Sequence, residues 1–171
     1  VVEGDLNGDP QYIDSNIAFP RYSEPGVWRP TFTLKDNATN VRVYTPEDLF
    51  NEGFLVDVTV TSSPSDTLAP ILEDLTMSTT TLDISNGESY YNGTITIDED
   101  LSGISFGQSY IIFTSPTRGQ QSVSTFEHIS GNVYSVSSNV AQYSEVGTWT
   151  ASVLLNDNVG NTQFYDYTEL E

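Results

Sequence analysis

The sequence predicts an all-β chain of antiparallel β-sandwich class, and three observations carry that prediction. Apolar residues alternate with polar ones at period two, between clusters of Gly, Asn, Asp and Ser that signal turns. No stretch keeps a helical apolar period for three turns, and "TPEDLFNEGF" from Thr45 offers one turn at most. One passage also occurs twice: "YSEPGVWRPTFTLKDNATN" from Tyr22 and "YSEVGTWTASVLLNDNVGN" from Tyr143, an offset of 121 residues (143 minus 22).

The elements follow in order. In the first copy Trp28, Pro30, Phe32 and Leu34 share one face of an extended run, and "VDVTV" places Val56, Val58 and Val60 on one face of another. Strands are then expected near 69–76, 80–84, 89–97, 104–114, 120–128, 132–140, 147–156 and 161–168. Seven or eight short strands in about a hundred residues is the pattern of a β-sandwich. In the second copy Trp149, Ala151, Val153 and Leu155 alternate as Trp28 to Leu34 do, so both tryptophans are expected in equivalent cores.

Because the copies also match at Tyr44/Tyr165 and Leu49/Leu170, they are the same part of two units. Residues 1–65 then hold the later half of one unit and residues 66–171 a nearly complete second unit. After Leu49 the first copy runs on through "FNEGFLVDVTVTSS", whereas the second stops at Glu171. The expectation is a segment of a longer array, or a subunit completed by a neighbour. An opening on Val1 and Val2 without Met suits a processed or excised product.

Charge excludes several partners. The chain has 24 acidic against 5 basic residues, a formal net charge of -19, and its cations (Arg21, Arg29, Lys35, Arg42, Arg118) are scattered. Nucleic acids need a basic stripe, and anionic membrane surfaces are disfavoured on the same ground. No run of about 18 apolar residues exists to span a bilayer. Without cysteine there are no disulfides or thiolate metal sites. Abundant Tyr, Phe and β-branched residues supply enough apolar surface for an ordered core despite the charge.

The order "SDTLAP", "DISNG", "ITIDEDLSGI", "FTSPTRG", "SGN", "GTWT", "NDNVGN" resembles the immunoglobulin-like, loosely cadherin-like tandem repeats of large bacterial and archaeal surface or secreted proteins. That resemblance implies immunoglobulin-like sandwich repeats, one partial and one nearly complete. It also implies an extracellular or cell-surface role as spacer, stalk or adhesive arm, with calcium at the joints. One departure is Thr39 where the second copy has Gly160, so a different turn is expected in the first copy.

Two stretches are candidates for calcium. In "GDLNGDPQYIDSN", Asp5, Asn7 and Asp9 stand at the first, third and fifth positions of an EF-hand-like loop. Pro10 occupies the position that needs Gly, Asn16 replaces the bidentate Glu, and internal alignment puts the stretch on the hairpin turn "SGN". The turn is the reading adopted. The second candidate comes from sandwich geometry, in which the start of the first strand and the second-to-third and sixth-to-seventh loops meet at one end. These bring Asp66, Asp98, Glu99, Asp100, Asp157 and Asn158 together, with Asp66, Asp98, Asp100 and Asp157 as the expected ligands of a calcium ion (Ca2+). Hard cations take six to eight oxygen ligands. The competing account is that Asp and Asn cap turns through their own side chains.

Enzymatic signals are nearly absent. His128 is the one imidazole, and no "GxSxG" or "HExxH" pattern occurs, so no catalytic residue is assigned. Tyr90, Tyr91, Tyr110 and Tyr134 are candidates for stacking on sugars, and Asn37 and Asn92 begin sequons. The expected function is a structural or adhesive module of an extracellular repeat protein or filament, stiffened by calcium. Its partners would be neighbouring copies or repeats, joined by strand complementation, or surface glycans. The alternative is a carbohydrate-binding accessory module of a secreted hydrolase.

Overall fold

The computed structural model describes residues 17 to 170, so the stretch from Asp5 to Asn16 lies outside the described residues. Within them the order is β1 (Gly26–Trp28), β2 (Phe32–Lys35), β3 (Val41–Tyr44), α1 (Pro46–Asn51), β4 (Val58–Val60), β5 (Ile71–Met77), β6 (Ser89–Asp98), β7 (Tyr110–Thr114), β8 (Gln121–Ser130), β9 (Val133–Val140), β10 (Thr150–Asn156) and β11 (Thr162–Tyr165). All pairings are antiparallel. β1 pairs with β4, β2 with β3, and the other seven form one sheet in the order β11-β10-β7-β8-β9-β6-β5. The chain is therefore all-β apart from α1.

The large sheet bends at β8, whose first half pairs with β7 and whose second half pairs with β9. Its two arms thus face each other across one core. Period-two alternation supplies that core: Ile95 and Ile97 from β6, Tyr134 and Val136 from β9, and Phe126 from β8 meet Ile111 of β7 and Val153 and Leu155 of β10. A polar seam crosses it, where the Tyr91 hydroxyl donates to Ser122 Oγ at 3.2 Å and Ser122 donates to the Asn139 carbonyl at 2.7 Å. No buried side-chain polar atom among the described residues lacks a partner, as burial in low dielectric requires.

Close approach explains Gly93. A Cβ there would stand 2.5 Å from the Thr76 carbonyl oxygen and 2.7 Å from Met77 Sδ, so β6 can pair this tightly with β5 only through glycine.

Three expectations about element bounds need correction. Residues 80–84 form a loop, because Thr79 and Asp83 accept from the backbone N–H groups of Thr81 and Ser85 and so offer the chain an alternative to a ladder. The strand expected over 104–114 starts only at Tyr110, since Ser105 to Ser109 close a turn. The helix is longer than one turn. Pro46 opens it, Thr45 Oγ1 accepts from Asp48 N–H, and the Asp48 carboxylate accepts from Thr45 N–H, forming a capping box.

The two copies of the repeated passage adopt the same local structure. Phe32↔Tyr44 and Leu34↔Arg42 in β2–β3 correspond to Val153↔Tyr165 and Leu155↔Gln163 in β10–β11. Tyr22 and Tyr143 have φ of 73° and 69°, and Gly26 and Gly147 have 147° and 140°. Trp28 Nε1 donates to the Glu24 carbonyl and Trp149 Nε1 to the Glu145 carbonyl, each at 3.0 Å. The turn is shared as well, contrary to the expectation at Thr39. That residue takes φ of 67°, in the left-handed region that Gly160 enters at 100°, because Asp36 and Asp157 each accept through Oδ1 from the N–H groups two and four residues on and close both loops alike.

Burial differs between the copies, which corrects the expectation of equivalent tryptophan cores. Val153 and Leu155 are fully buried, whereas their counterparts Phe32 and Leu34 are 41% and 46% exposed and Trp28 is 40% exposed. Trp149 is half-buried. The reason is tertiary: an apolar hairpin face is buried only where a second layer covers it. The arm formed by β5, β6 and β9 covers the second copy, and no described strand covers the first.

Candidate functional site

Two loops, after β6 and after β10, converge beside the passage that joins β4 to β5. Asp66 lies in that passage, and its N–H donates to the Tyr22 carbonyl at 2.8 Å, tying the first copy of the repeated passage to the segment that leads into β5. The residue as a whole is 3% exposed. Such a charge persists only if hydrogen bonds replace its water. Leu68 N–H donates to Oδ1 at 3.2 Å, Ser102 N–H to Oδ2 at 3.1 Å, and Asn161 Nδ2 reaches Oδ1 at 3.5 Å. Burial alone would raise its pKa, but the hydrogen bonds from Ser102 and Leu68 outweigh it and hold Asp66 below the ordinary aspartate value.

The loop after β6 supplies two further acids. Glu99 folds back over its own turn and accepts from Leu101 N–H at 3.1 Å, from Ser102 N–H at 2.9 Å and from Gly103 N–H. Asp100 is exposed. One carboxylate oxygen each from Asp66, Glu99 and Asp100 lie within 4.8 Å of one another. Burial, and then the charge of Glu99, push the Tyr134 phenol up. No basic residue offsets the three acids, since the one ion pair among the described residues is Arg29–Asp57, at 3.3 Å in the first copy. An all-oxygen set with uncompensated negative charge suits a hard cation in its chemistry: Asp66 Oδ2 and Glu99 Oε2 each accept one backbone bond and keep a lone pair, whereas Glu99 Oε1 is filled by Leu101 and Ser102.

Asp98 and Asp157 are not among the three. Asp98 ends β6 exposed and accepts from Asn132 Nδ2 at 3.3 Å. Strand parity decides this, because Ile95 and Ile97 point inward and position 99, not 98, continues their face. That parity is the signal in the sequence that singles out Glu99. Asp157 is buried, and its Oδ1 accepts from the N–H groups of Val159, Gly160 and Asn161 while Oδ2 accepts from Asn161 Nδ2 at 2.6 Å. Asp36 makes the corresponding bonds to Ala38 and Asn40 in an exposed loop. Its pKa is lowered by the Asn40 side chain and then the Asn40 backbone. The Asx loop thus forms without any neighbouring acids, and turn capping accounts for Asp157. Asn158 braces the joint instead, donating through its N–H to the Gly103 carbonyl at 3.0 Å and through Nδ2 to the Ser102 carbonyl at 2.9 Å.

The tyrosines do not form an exposed row. Tyr91 and Tyr134 are buried, Tyr110 is half-buried and Tyr90 is exposed. His128 is exposed on β8, with Nε2 3.0 Å from the Gly131 carbonyl. No helix among the described residues is long and apolar enough to cross a membrane. No family model, curated protein or solved structure matches the chain.

Proposed function

We propose that this chain is a structural or adhesive segment of an extracellular, cell-surface repeat protein, built from immunoglobulin-like sandwich units and stiffened by calcium at their joint. The observation that carries the reading is the near-identity of the two hairpins in register, backbone angles, tryptophan clamp and Asx loop. Repetition of one local structure 121 residues apart is what tandem modules produce. The strand order supports the sandwich form. Taken in chain order as A to G, β5 to β11 group as A-B-E-D and C-F-G, which is the division of a seven-stranded immunoglobulin-like domain.

In this reading Asp66, Glu99 and Asp100 hold the cation and Asn158 and Asn161 brace the loops that present them. Without a cation the like charges loosen the joint; with one, it stiffens. Catalysis has no part in it. The carbohydrate-binding alternative needs exposed tyrosines in a row, and the burial of Tyr91 and Tyr134 gives it less support.

Calcium titration of the purified chain tests the proposal. Calcium at about 100 times its dissociation constant should add about 2.7 kcal/mol of stability. It should also narrow the small-angle scattering distribution, and Asp66→Asn with Asp100→Asn should abolish both effects. Identical melting and scattering in chelator and in calcium would remove the calcium joint from the proposal.

A further inference from the structure

We infer that Asn37 is an N-glycosylation site, taking an oligosaccharide from a polyprenyl-diphosphate carrier. Glycosylation at Asn37 deepens the cell-surface part of the proposal and rests on it, since such acceptors are surface loops of secreted proteins. Asn37, Ala38 and Thr39 supply the acceptor pattern: an asparagine, any residue but proline, and a hydroxyl two positions on. A pattern this short recurs by composition alone, and the backbone at Thr39 sets this one apart.

Thr39 has φ of 67°. A β-branched residue is an outlier in that left-handed region, where glycine is the ordinary occupant. The second copy has that occupant, Gly160, in a loop that Asp157 closes as Asp36 closes this one. The loop therefore forms without a hydroxyl, and threonine answers no need of the turn. What it supplies is the third member of the sequon. Left-handed residues other than glycine concentrate at functional sites. The copies thus divide two roles: Asn158, followed by Gly160, braces the joint through the Ser102 carbonyl, while Asn37, followed by Thr39, presents an acceptor amide.

Accessibility belongs to the position. In the second unit, where the turn after β6 packs beside this loop, Asn158 and Gly160 are exposed all the same, as Asn37 and Thr39 are. The bonds from Ala38, Thr39 and Asn40 that close the first loop on Asp36 span four residues or fewer, so it can open locally to fit a transferase. The second sequon lacks this freedom. Asn92 stands inside β6, opposite Ser137 of β9, and its carbonyl accepts from Ser78 N–H at 2.7 Å, so bending it into an enzyme would break ladders on both sides. Transfer forms a bond from Asn37 Nδ2 to the anomeric carbon of the glycan. The amide loses one proton, and the anomeric C–O bond breaks with its electron pair leaving on the polyprenyl diphosphate.

The test incubates the folded chain with a purified oligosaccharyltransferase and a polyprenyl-diphosphate-linked oligosaccharide, and reads intact mass and peptide map. A glycan should appear on Asn37. Asn37→Gln and Thr39→Gly should lose it, and Thr39→Ser should keep it. Thr39→Gly separates the sequon from the fold, because Gly160 shows that the loop closes with glycine; circular dichroism checks that fold. No transfer to the folded parent, transfer at Asn92 instead, or undiminished transfer to Thr39→Gly would overturn the inference. Purified components read the site wherever a cell places the chain, and the calcium response of melting is read separately. If transfer fails while calcium still stabilises, the glycosylation site falls and the calcium joint stands; if only the calcium response fails, the reverse holds.

Discussion

Leu34 and Leu155 occupy the same place in the two copies, opposite Arg42 and Gln163 respectively, and they make a controlled comparison of burial. Truncating either to Ala removes three carbons, about 2.4 kcal/mol of transfer free energy if the side chain is fully buried. Leu155 is 0% exposed and packed in the core between both arms, so a cavity term adds and the expected loss is about 3 to 4 kcal/mol. Leu34 is 46% exposed. About half the transfer term applies and water fills the space, so the expected loss is about 1 kcal/mol. Guanidinium unfolding, followed by circular dichroism and by the fluorescence of Trp28 and Trp149, reads each copy. The Leu155→Ala variant should also melt lower by more than about 10 °C. Equal costs at the two positions would refute the reasoning and mean that the first copy's apolar face is covered in solution. A dependence of the Leu34→Ala cost on protein concentration would identify that cover as another chain.

Two further outcomes follow from the structure. Gly93→Ala forces a Cβ against the Thr76 carbonyl and should cost about 1 to 3 kcal/mol, whereas Gly107→Ala, which meets nothing within 4 Å, should be neutral or slightly stabilising in the same melting assay. The Asp66 pKa is held below its ordinary value, so its ionised form favours the fold above about pH 3.9, and that contribution is lost as pH falls through the lower folded value. Melting temperature should therefore fall more steeply below about pH 4 in the parent than in Asp66→Asn. Parallel slopes in the two proteins would contradict the assigned hydrogen bonds.

Local structure was legible in the sequence wherever it depends on neighbours in the chain. Period-two alternation marks β6, β8 and β9 close to their observed ends, and β10 at its end though not its start, and the repeated passage specifies a repeated hairpin because its Asx loop, glycine turn and tryptophan clamp are closed by bonds of short sequence separation. Strand parity even places Glu99 on the inward face, although the acids named from loop position alone were Asp66, Asp98, Asp100 and Asp157. Tertiary structure decided the remainder. Two hairpins of matching register differ in burial because covering a face requires another layer, which no local pattern records: Leu155 has the opposing arm, and Leu34 has none among the described residues. The grouping of Asp66, Glu99 and Asp100 depends likewise on the distant pairing of β5 with β6 and on Asn161 reaching across 95 positions to Asp66. Alternation states which way a side chain points along its strand; only the path of the whole chain states what it points at.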